Sequence, residues 1–361
     1  GVWDLIKNRS DLEGVDRLEL EYLGLFPGKR ESRRYEGDYM VTQNDVESQG
    51  RFPDTVAYGG WTMDDHHPSA LDHPGAPTIH HPAPSPWGIP LRSLYSRTVE
   101  NLWFAGRNIS VSHIALSSSR VMRTCAVIGQ AVGTAAAVAL REKLRPREAA
   151  GQRMSEIQRR LMDDDAWLPG FVRPVSPLTA ASHVSASEGS GDPETLRNGI
   201  DRHLILSSET MKAVRPSERE AGASRGKIVT IQDEQMQENG WRARPGDYAV
   251  YEFDGSHSVS GVRLVFDSNL ARYYREHRML AGYFASDEPV SVAPELVRSY
   301  TVEIKDASGT WHEAAVVTGN VQRLRKHHWE PTEATAARLT VRETWGNPDV
   351  LVYAFDVLTG T

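Results

Sequence analysis

The residues best suited to acid–base chemistry lie between positions 58 and 82, in YGGWTMDDHHPSALDHPGAPTIHHP. This stretch holds five of the 13 histidines of the chain, together with Asp64, Asp65 and Asp72. An imidazole with a pKa near ~6.5 can accept or return a proton at neutral pH, and a carboxylate can fix its tautomer. The same residue types could bind a metal, but their spacing fits no compact zinc signature, and adjacent histidines rarely bind one ion together. A solvated, Pro-rich structural loop is the other interpretation, and we predict no metal site.

A second stretch, residues 99–140, could hold an anion or a cofactor. It reads VENLWFAGRNISVSHIALSSSRVMRTCAVIGQAVGTAAAVAL. Its first part predicts a buried strand from Leu102 to Ala105 and a sharp turn at Gly106, where ligands of α/β sheets commonly bind. A loop with three serines, 117–119, then leads into a long helix. The first turn of that helix has unpaired N–H groups and the positive end of the helix dipole, which favour a phosphate or a negatively charged ring.

This helix carries a stripe of small side chains. Cys125, Gly129, Gly133 and Ala137 recur every four residues on one face. Because glycine in a helix interior costs about 1 kcal/mol relative to alanine, we expect close packing along this face to offset the cost. A tightly packed core helix without a ligand is the simpler interpretation. We expect no membrane span, since the apolar part at 131–140 is far shorter than the ~20 residues that a bilayer needs.

Two further parts of the sequence are informative together. One is PWGIPLRSLYSRTVENLWFAGRNISVSHIALSSSRVMRTCAVIGQAVGTAAA, and the other comprises RRYEGDYMVTQNDV and GGWTMDDHHP. Together they resemble FAD-dependent oxidoreductases, distant relatives of the fumarate reductase flavoproteins. The first is similar to the C-terminal FAD-binding segment of that family, and the second resembles its substrate-side segment. The resemblance implies an α/β flavoprotein fold with FAD as its cofactor. It also implies a substrate segment at about 30–98 and a FAD-contacting segment at 99–140.

The resemblance implies roles for individual residues. It pairs Asp64 with His66 as a carboxylate and an imidazole near the flavin, with His113 as a rival base. Arg92 would be a further catalytic residue, although Leu91 replaces the aromatic residue of the family's Pro-aromatic-Arg-Ser pattern. The expected cofactor-binding residues are Gly106, Arg107, Ser117, Ser118, Ser119, Arg120, Val121 and Met122. For each arginine, an ordinary ion pair within the domain is the alternative.

The glycine-rich turn that receives the FAD pyrophosphate in such proteins has no counterpart in this sequence. No G-x-G-x-x-G occurs, since Gly129 and Gly133 fall in a predicted helix and Gly189 and Gly191 in a Ser-rich segment. We therefore expect a C-terminal part of a flavoprotein, whose N-terminal FAD-binding half lies in cis or in a separate chain. Alone, this part should hold FAD poorly.

The pattern changes after SASEGSGDPE, residues 185–194, which we predict to be a linker. Six short alternating segments follow, separated by turn-like sequences such as DGSHS and DASGT, and they predict an antiparallel β-sandwich. They are YAVYEF, VSGVRLVF, SYTVEIK, TWHEAAVV, ARLTVRE and VYAFDVL. We thus divide the chain into an incomplete Rossmann-like α/β part, 1–184, and an all-β sandwich, 185–361.

The predicted sandwich resembles the jelly-roll, galactose-binding-like or discoidin-like domains of many carbohydrate-active enzymes. ETLRNGIDR, GDYAVYEFDGSHSVSGVRLVF and ARLTVRETWGNPDVLVYAFDVL carry the resemblance. Sugar recognition would need exposed aromatic side chains, for which Trp241, Trp329 and Trp345 are candidates. The alternative is that these tryptophans pack the sandwich and its rims.

Composition limits the partners. With 361 residues, of which 39% are hydrophobic and 25% charged, the chain can form about two domains. A net charge of −7 and the lack of a long basic run argue against nucleic acid. The single cysteine, Cys125, excludes an internal disulfide framework. The sequence does not fix the compartment, and an extracytoplasmic location would follow if the sandwich binds glycans.

The function we predict is that of an FAD-dependent oxidoreductase. It would transfer a hydride between flavin N5 and a small polar or sugar-like substrate, with a proton moved by His66 or His113. One alternative is a non-catalytic carbohydrate-binding protein with a degenerate flavoprotein scaffold. Another is a polysaccharide lyase or hydrolase that uses the His/Asp loop.

Overall fold

The computed structural model describes residues 2–9, 11, 13–25, 33–69, 72–76, 78–81, 83, 86–205, 236–268 and 292–360. They belong to two compact units, Gly1–Arg34 and Tyr35–Thr361. The small unit contains helix α1 (Val2–Asp4), a π-helical turn (Leu5–Arg9) and a 3₁₀ turn (Val15–Arg17). In this unit the Lys7 ammonium donates to the carbonyl oxygens of Val15 and Leu18, each at 2.8 Å.

The first part of the large unit, residues 35–163, consists of small antiparallel sheets and helices. Strand β1 (Thr55–Gly59) pairs with β4 (Trp87–Pro90), and β2 (Met63–His66) pairs with β3 (Thr78–His81). A 3₁₀ turn (Leu91–Ser93) follows β4. The helices are α2 (Gln43–Glu47), α3 (His113–Ser119), α4 (Met122–Glu142), α5 (Pro146–Gln152) and α6 (Met154–Asp163). Side chains of β1, β4, α4 and α6 share one hydrophobic core, so this is the α/β part of the chain.

Helix α4 packs on this core through only one of its faces. Ile128, Ala131, Val132, Ala135 and Val138 are buried there, at the spacing that a 3.6-residue period requires. The stripe of small residues is on the other side: Gly129, Gly133 and Ala137 are exposed. A Cβ atom added to either glycine would meet nothing within 4 Å among the described residues. The expected close packing of the stripe is therefore not made by the described residues of this chain.

Helix α4 is also long and apolar enough to cross a membrane by length and composition. Of that apolar stretch, 39% is buried inside the domain, including Ile128, Val132 and Val138 of its core. A core helix of a domain meets the same criteria of length and composition.

The segment before α3 differs from its prediction. Residues 102–105 do not form a strand, since only Trp103 makes an isolated bridge, to Tyr95. Leu102 is exposed and Phe104 is buried, so the apolar run is not a buried strand interior. The turn at Gly106 is present, with a φ of 74° that favours glycine.

An antiparallel β-sandwich follows, as predicted. Its strands are β5 (His183–Ala186), β8 (Trp241–Ala243), β9 (Tyr248–Phe266), β10 (Val297–Lys305), β11 (Trp311–Val317), β12 (Leu324–Thr344) and β13 (Val350–Thr359). One layer has the order β11-β10-β12-β9-β5 and the other β12-β9-β13-β8, because the long strands β9 and β12 contribute one half to each layer. Tyr251 and Phe355 meet between the layers, with ring centroids 5.0 Å apart. A short pair, β6 (Leu204–Ile205) with β7 (Met236–Gln237), lies outside this sheet.

The predicted turn DGSHS lies inside strand β9 instead of between two strands. Glu252 pairs with Ala336 and His257 pairs with Ala334, so residues 253–256 of β9 face the single Thr335 of β12. Extra residues on one strand form a bulge, which bends the strand from one layer into the other. The other predicted turn, DASGT, does connect β10 to β11.

The sandwich begins before the predicted linker. Helix α7 (Pro177–Ala181) places Leu178 in the sandwich core, and β5 pairs with β9. The 3₁₀ turn Pro193–Arg197 adds Leu196 to the same core. Residues 185–194 are thus built into the sandwich, and the structure differs from the predicted boundary at 184. Ser and Gly occur here because the chain turns, not because it separates domains.

A buried polar cluster joins the two domains. Arg263 of β9 is 2% exposed and forms an ion pair with Asp201 at 2.8 Å. Its Nε donates to the carbonyl oxygen of Asp163 at 2.8 Å, and its Nη2 donates to that of Met162 at 3.0 Å. Further ion pairs in this region are Arg173–Asp356, Arg323–Asp165 and Lys326–Asp164. A side chain of the sandwich therefore caps the C-terminal end of α6 in the other domain.

Candidate active site

The hairpin β2–β3 is anchored to helix α3 by a buried serine. Ser118 donates to the carbonyl oxygen of Trp61 at 2.6 Å and accepts from the indole Nε1 of Trp87 at 3.1 Å. Trp87 is fully buried, and a Cβ on Gly59 would lie 2.8 Å from its ring, so glycine is needed there. These contacts fix the start of β2 beside α3, and with it the Asp and His residues that the sequence singled out.

Asp64 is held by three donors. The Trp61 indole donates at 2.8 Å, the Thr62 hydroxyl also donates, and the His80 Nδ1 lies 2.7 Å away. Partial burial alone would raise the pKa of this carboxyl, but the hydrogen bonds outweigh burial and leave the pKa below its ordinary value. The expected Asp64–His66 pair is thus replaced by a pair with His80, which lies directly across the hairpin from Asp64.

His66 has different partners. Its Nε2 lies 2.8 Å from Nη2 of Arg120, and its Nδ1 lies 2.8 Å from the hydroxyl of Thr78, the residue across the hairpin. The neighbouring Asp65 lies 3.6 Å from Nε2 of His113. The hairpin therefore contacts both ends of α3, with His113 at the beginning and Arg120 just after the end. The structure brings His66, His113 and Arg120 into one region.

The junction between α3 and α4 has the character of an anion site. Val121 is the N-cap of α4, and no side chain caps the helix there. The first N–H groups of an α-helix lack intrahelical partners, and the helix dipole adds positive potential. Met122, the first residue of α4, is 88% exposed. The start of this 21-residue helix therefore has an exposed first residue and no side-chain cap, and Arg120 lies two residues before it in the chain.

The Gly106–Arg107 turn lies close to this junction. Burial raises the pKa of the Cys125 thiol in the first turn of α4, and the charge of Arg107 partly opposes that rise. A Cβ on Gly106 would meet nothing within 4 Å, so the turn faces open space. Of the expected cofactor-binding residues, Gly106, Arg107, Arg120, Val121 and Met122 are thus gathered at the beginning of α4.

The serines are placed otherwise. Residues 117–119 are inside α3 and buried, not in a polar loop. Ser117 donates to the carbonyl oxygen of Ile114 at 2.6 Å, and Ser119 donates weakly to that of Leu116 at 3.4 Å. Because serine hydroxyls readily satisfy carbonyls of the preceding turn, a Ser-rich run is compatible with a short buried helix.

Arg92 lies away from this region. Its backbone N and its Nε donate to the Asp54 carboxylate at 3.1 and 2.9 Å, and its guanidinium lies 5.2 Å from the Tyr39 ring centroid. The Asp54 carboxylate also raises the pKa of Arg92. Trp87 is the first residue of β4, whereas Arg92 lies in the 3₁₀ turn that follows the last residue of this strand. The structure therefore gives Arg92 the ion pair with Asp54 that was the alternative interpretation.

One residue of the region, Thr78, was missed by sequence reasoning, and His80 was weighed only among the possible metal ligands of this stretch. A partial signal was available, since TMDDH and TIHH are two short segments on either side of a Pro- and Gly-rich stretch. Pairing them as a hairpin places residue 64 opposite 80 and residue 66 opposite 78. In the described part of the chain, no three His, Cys, Asp or Glu side chains are arranged to hold a metal ion.

The candidate tryptophans of the sandwich pack its interior and rim. Trp241 is fully buried, and Trp329 and Trp345 are packed against the sandwich core. Their indole N–H groups donate within the domain, to Ser190 Oγ at 3.1 Å, Val259 O at 3.0 Å and Asn320 O at 2.6 Å, respectively. All three tryptophans therefore pack the sandwich and its rim, which was the alternative to sugar recognition.

Residues 2–161 match the family model of the FAD dependent oxidoreductases. No curated protein matches the sequence. Among solved structures, the family 32 carbohydrate-binding module of Streptococcus pneumoniae EndoD has 15% identity and a TM-score of 0.32, covering 51% of this chain and all of that one. The family 32 module of C. perfringens NanJ, in complex with galactose, has 9% identity and a TM-score of 0.30, covering 51% of this chain and 97% of that one.

The chain is thus a two-domain protein with a flavoprotein-type α/β segment and an antiparallel β-sandwich. The match of residues 2–161 to the FAD dependent oxidoreductase model agrees with the resemblance of the sequence. The α3–α4 junction combines an uncapped helix start with the neighbouring Arg120, and the Gly106 turn faces open space, which is a chemistry suited to an anionic group. The pyrophosphate side has no matching glycine-rich turn in the sequence.

Proposed function

We propose that residues 35–163 form the ring-facing wall of an FAD site in an oxidoreductase that acts on a small polar or sugar-like substrate. The single observation that carries this proposal is the α3–α4 junction, where the open start of a 21-residue helix lies next to the His66–Arg120 contact of 2.8 Å. FAD, when bound, supplies a ring that accepts or returns a hydride at N5. The family match of residues 2–161 supports this cofactor.

The residues of the junction have separate tasks in this proposal. The N–H groups at the start of α4 stabilise negative charge on the ring, because preorganised dipoles lose little energy in reorienting. Arg120 binds anionic oxygen atoms, which a guanidinium can hold with two donors. His66 takes or returns a substrate proton at Nε2, and the His113–Asp65 pair at the other end of α3 is the rival base.

The exposed face of α4 supports a second part of the proposal, that a FAD-binding half in cis or in a separate chain completes the pocket. Gly129, Gly133 and Ala137 lie on this face, and Met122 and Leu140 expose large apolar side chains at its two ends. Glycines inside a helix lower its stability, so an exposed row of them is explained if another element packs closely there. A bulky residue such as Gly133→Leu should leave this domain folded and weaken FAD retention.

The proposal is tested with the protein in its complete natural form. The purified protein should be yellow and contain FAD, and candidate polyols or sugars should bleach the flavin without oxygen. His66→Gln should retain FAD and slow bleaching by about 10²- to 10⁴-fold, the usual contribution of a positioned base. The matched control is His67→Gln, because His67 stacks on His73 with centroids 3.7 Å apart and is not at the junction.

Two results contradict this function. One is a complete protein that is colourless and takes up no FAD; if its sandwich binds glycans, the protein is then a non-catalytic carbohydrate-binding protein with a flavoprotein scaffold. The other is turnover of a polysaccharide without any redox change, which would assign the His/Asp hairpin to a lyase or hydrolase.

A further inference from the structure

Trp61 is the most exposed tryptophan of this chain. All nine tryptophans lie in the part of the chain that the structure describes. Trp61 is 43% exposed, whereas the other eight are buried or half-buried. Because tryptophan has a large apolar surface and is highly buried on average, its exposure beside the hairpin β2–β3 needs a reason. A ligand that covers the ring supplies one.

The ring of Trp61 is held in place by the domain itself. Its indole Nε1 donates to Oδ2 of Asp64 at 2.8 Å, and its carbonyl oxygen accepts from the Ser118 hydroxyl at 2.6 Å. Ser118 is buried in helix α3, so the backbone at Trp61 is tied to the interior of the domain. A side chain that is already ordered loses little conformational entropy on binding, which makes Trp61 a preorganised contact surface.

His80 adds a hydrogen-bonding group on the same carboxylate. Asp64 has a pKa below its ordinary value, so at neutral pH it is ionised and only accepts hydrogen bonds. Nδ1 of His80, 2.7 Å from Oδ1 of Asp64, must therefore carry a proton. In the neutral imidazole Nε2 is then an acceptor, and the side chain of His80 is 57% exposed. One carboxylate thus holds both an exposed aromatic ring and an exposed acceptor.

These two groups match the surface of a cyclic sugar. A pyranose has a face of C–H groups that packs on an aromatic ring, and hydroxyl groups around its edge that form hydrogen bonds. We infer that Trp61 and His80 form a subsite for a pyranose, with its C–H face on the indole and a hydroxyl donating to Nε2 of His80. An open-chain polyol offers the hydroxyl groups without the face. The use of this subsite in catalysis rests on the proposed function, whereas sugar binding there is a property of the folded chain alone.

The test is a titration of the full chain without FAD, followed through the indole Nε1–H signals of the tryptophans by NMR. The probes are methyl β-glucopyranoside and methyl β-galactopyranoside, in separate titrations, and sorbitol. The Trp61 signal is the one missing in Trp61→Phe, or is found by sequential assignment if that variant does not fold. We expect a saturable shift of this signal with at least one pyranoside and none with sorbitol. His80→Ala should weaken the affinity read at Trp61 by about 3- to 10-fold, because it removes the acceptor.

The matched control is Ile79→Ala. Ile79 is 54% exposed and precedes His80 in β3, where successive side chains point to opposite faces, so its loss should leave the titration unchanged. The inference is overturned if neither pyranoside shifts the Trp61 signal, if sorbitol shifts it equally, or if Ile79→Ala weakens binding as much as His80→Ala. A shift with FAD that no pyranoside reproduces also overturns it, since the ring then serves the cofactor. A complete protein without FAD would refute the proposed function and leave this titration unaffected.

Discussion

Replacing Arg263 with methionine tests the buried link between the two domains. The change removes a side chain that is 2% exposed and the nearer of the two arginines described beside the Asp201 carboxylate, Arg263 at 2.8 Å; Arg173 stays at 3.4 Å. It also removes the donors to the last carbonyl oxygens of α6, on Met162 and Asp163. Breaking a buried ion pair from one side costs about 3–5 kcal/mol when the remaining charge is left uncompensated, and Arg173 reduces that cost here. The lost carbonyl hydrogen bonds add to it, so we expect a loss of about 3 kcal/mol.

The assay is equilibrium unfolding in urea, followed by tryptophan fluorescence and by far-ultraviolet circular dichroism. The matched control is Arg160→Met on α6, which breaks an exposed pair with Glu156 at 2.9 Å and should cost less than about 1 kcal/mol. Adding Asp201→Asn to Arg263→Met should recover part of the loss, since it removes a buried charge whose nearer partner is gone and which keeps Arg173 at 3.4 Å. If Arg263→Met is as stable as Arg160→Met, the buried cluster does not hold the domains together and the reasoning is refuted.

Three further outcomes follow from single contacts. Arg147 binds Asp38 at 2.5 and 2.6 Å and holds the pKa of that carboxyl below its ordinary value, so the contact stabilises the fold above pH ~4 and is lost as the pH falls through the lowered pKa. Stability curves of wild type and Arg147→Gln should therefore converge in acid, and parallel curves would contradict this. Burial lowers the pKa of His327, so stability should decline as the pH falls below ~6.5, and His327→Gln should flatten that decline in denaturation measured at several pH values. Trp87→Phe removes the donor to Ser118 and should lower the free energy of unfolding by about 1–2 kcal/mol in thermal unfolding. The cost should be smaller in the Ser118→Ala background, because the hydrogen bond is already lost there; equal costs in the two backgrounds would argue against this hydrogen bond.

Local patterns predicted the secondary structure of the sandwich well. All six alternating segments lie in strands, and the long helix begins and ends at Met122 and Glu142, close to where the apolar period indicates. The alternation of apolar and polar residues does not show whether two segments belong to the same strand. Strand β9 contains two of the predicted segments, because a bulge at 253–256 bends the strand without ending it. The segment at 185–194 was misjudged for a similar reason, since its turn residues belong to a packed domain.

The candidate site was predictable in its residue types and only partly in its pairings. The sequence indicated Asp64, His66 and Arg120 as site residues. It did not indicate that Asp64 pairs with His80 and that His66 contacts Arg120. Such pairings depend on the register of a hairpin and on how it lies against a helix, which side-chain types do not encode. Arg92 is the opposite case, because its partner Asp54 lies 38 residues earlier and was not among the candidates.

Helix α6 is capped by Arg263, a residue of strand β9, and this affects how the chain folds during its synthesis. Arg263 follows Asp163 by 100 residues, so the helix emerges from the ribosome long before the side chain that completes it. At about 5–20 residues per second, this interval lasts about 5–20 s. During that time the last carbonyl groups of α6 lack the donors that Arg263 later supplies, so the end of this helix is completed only after strand β9 has been made.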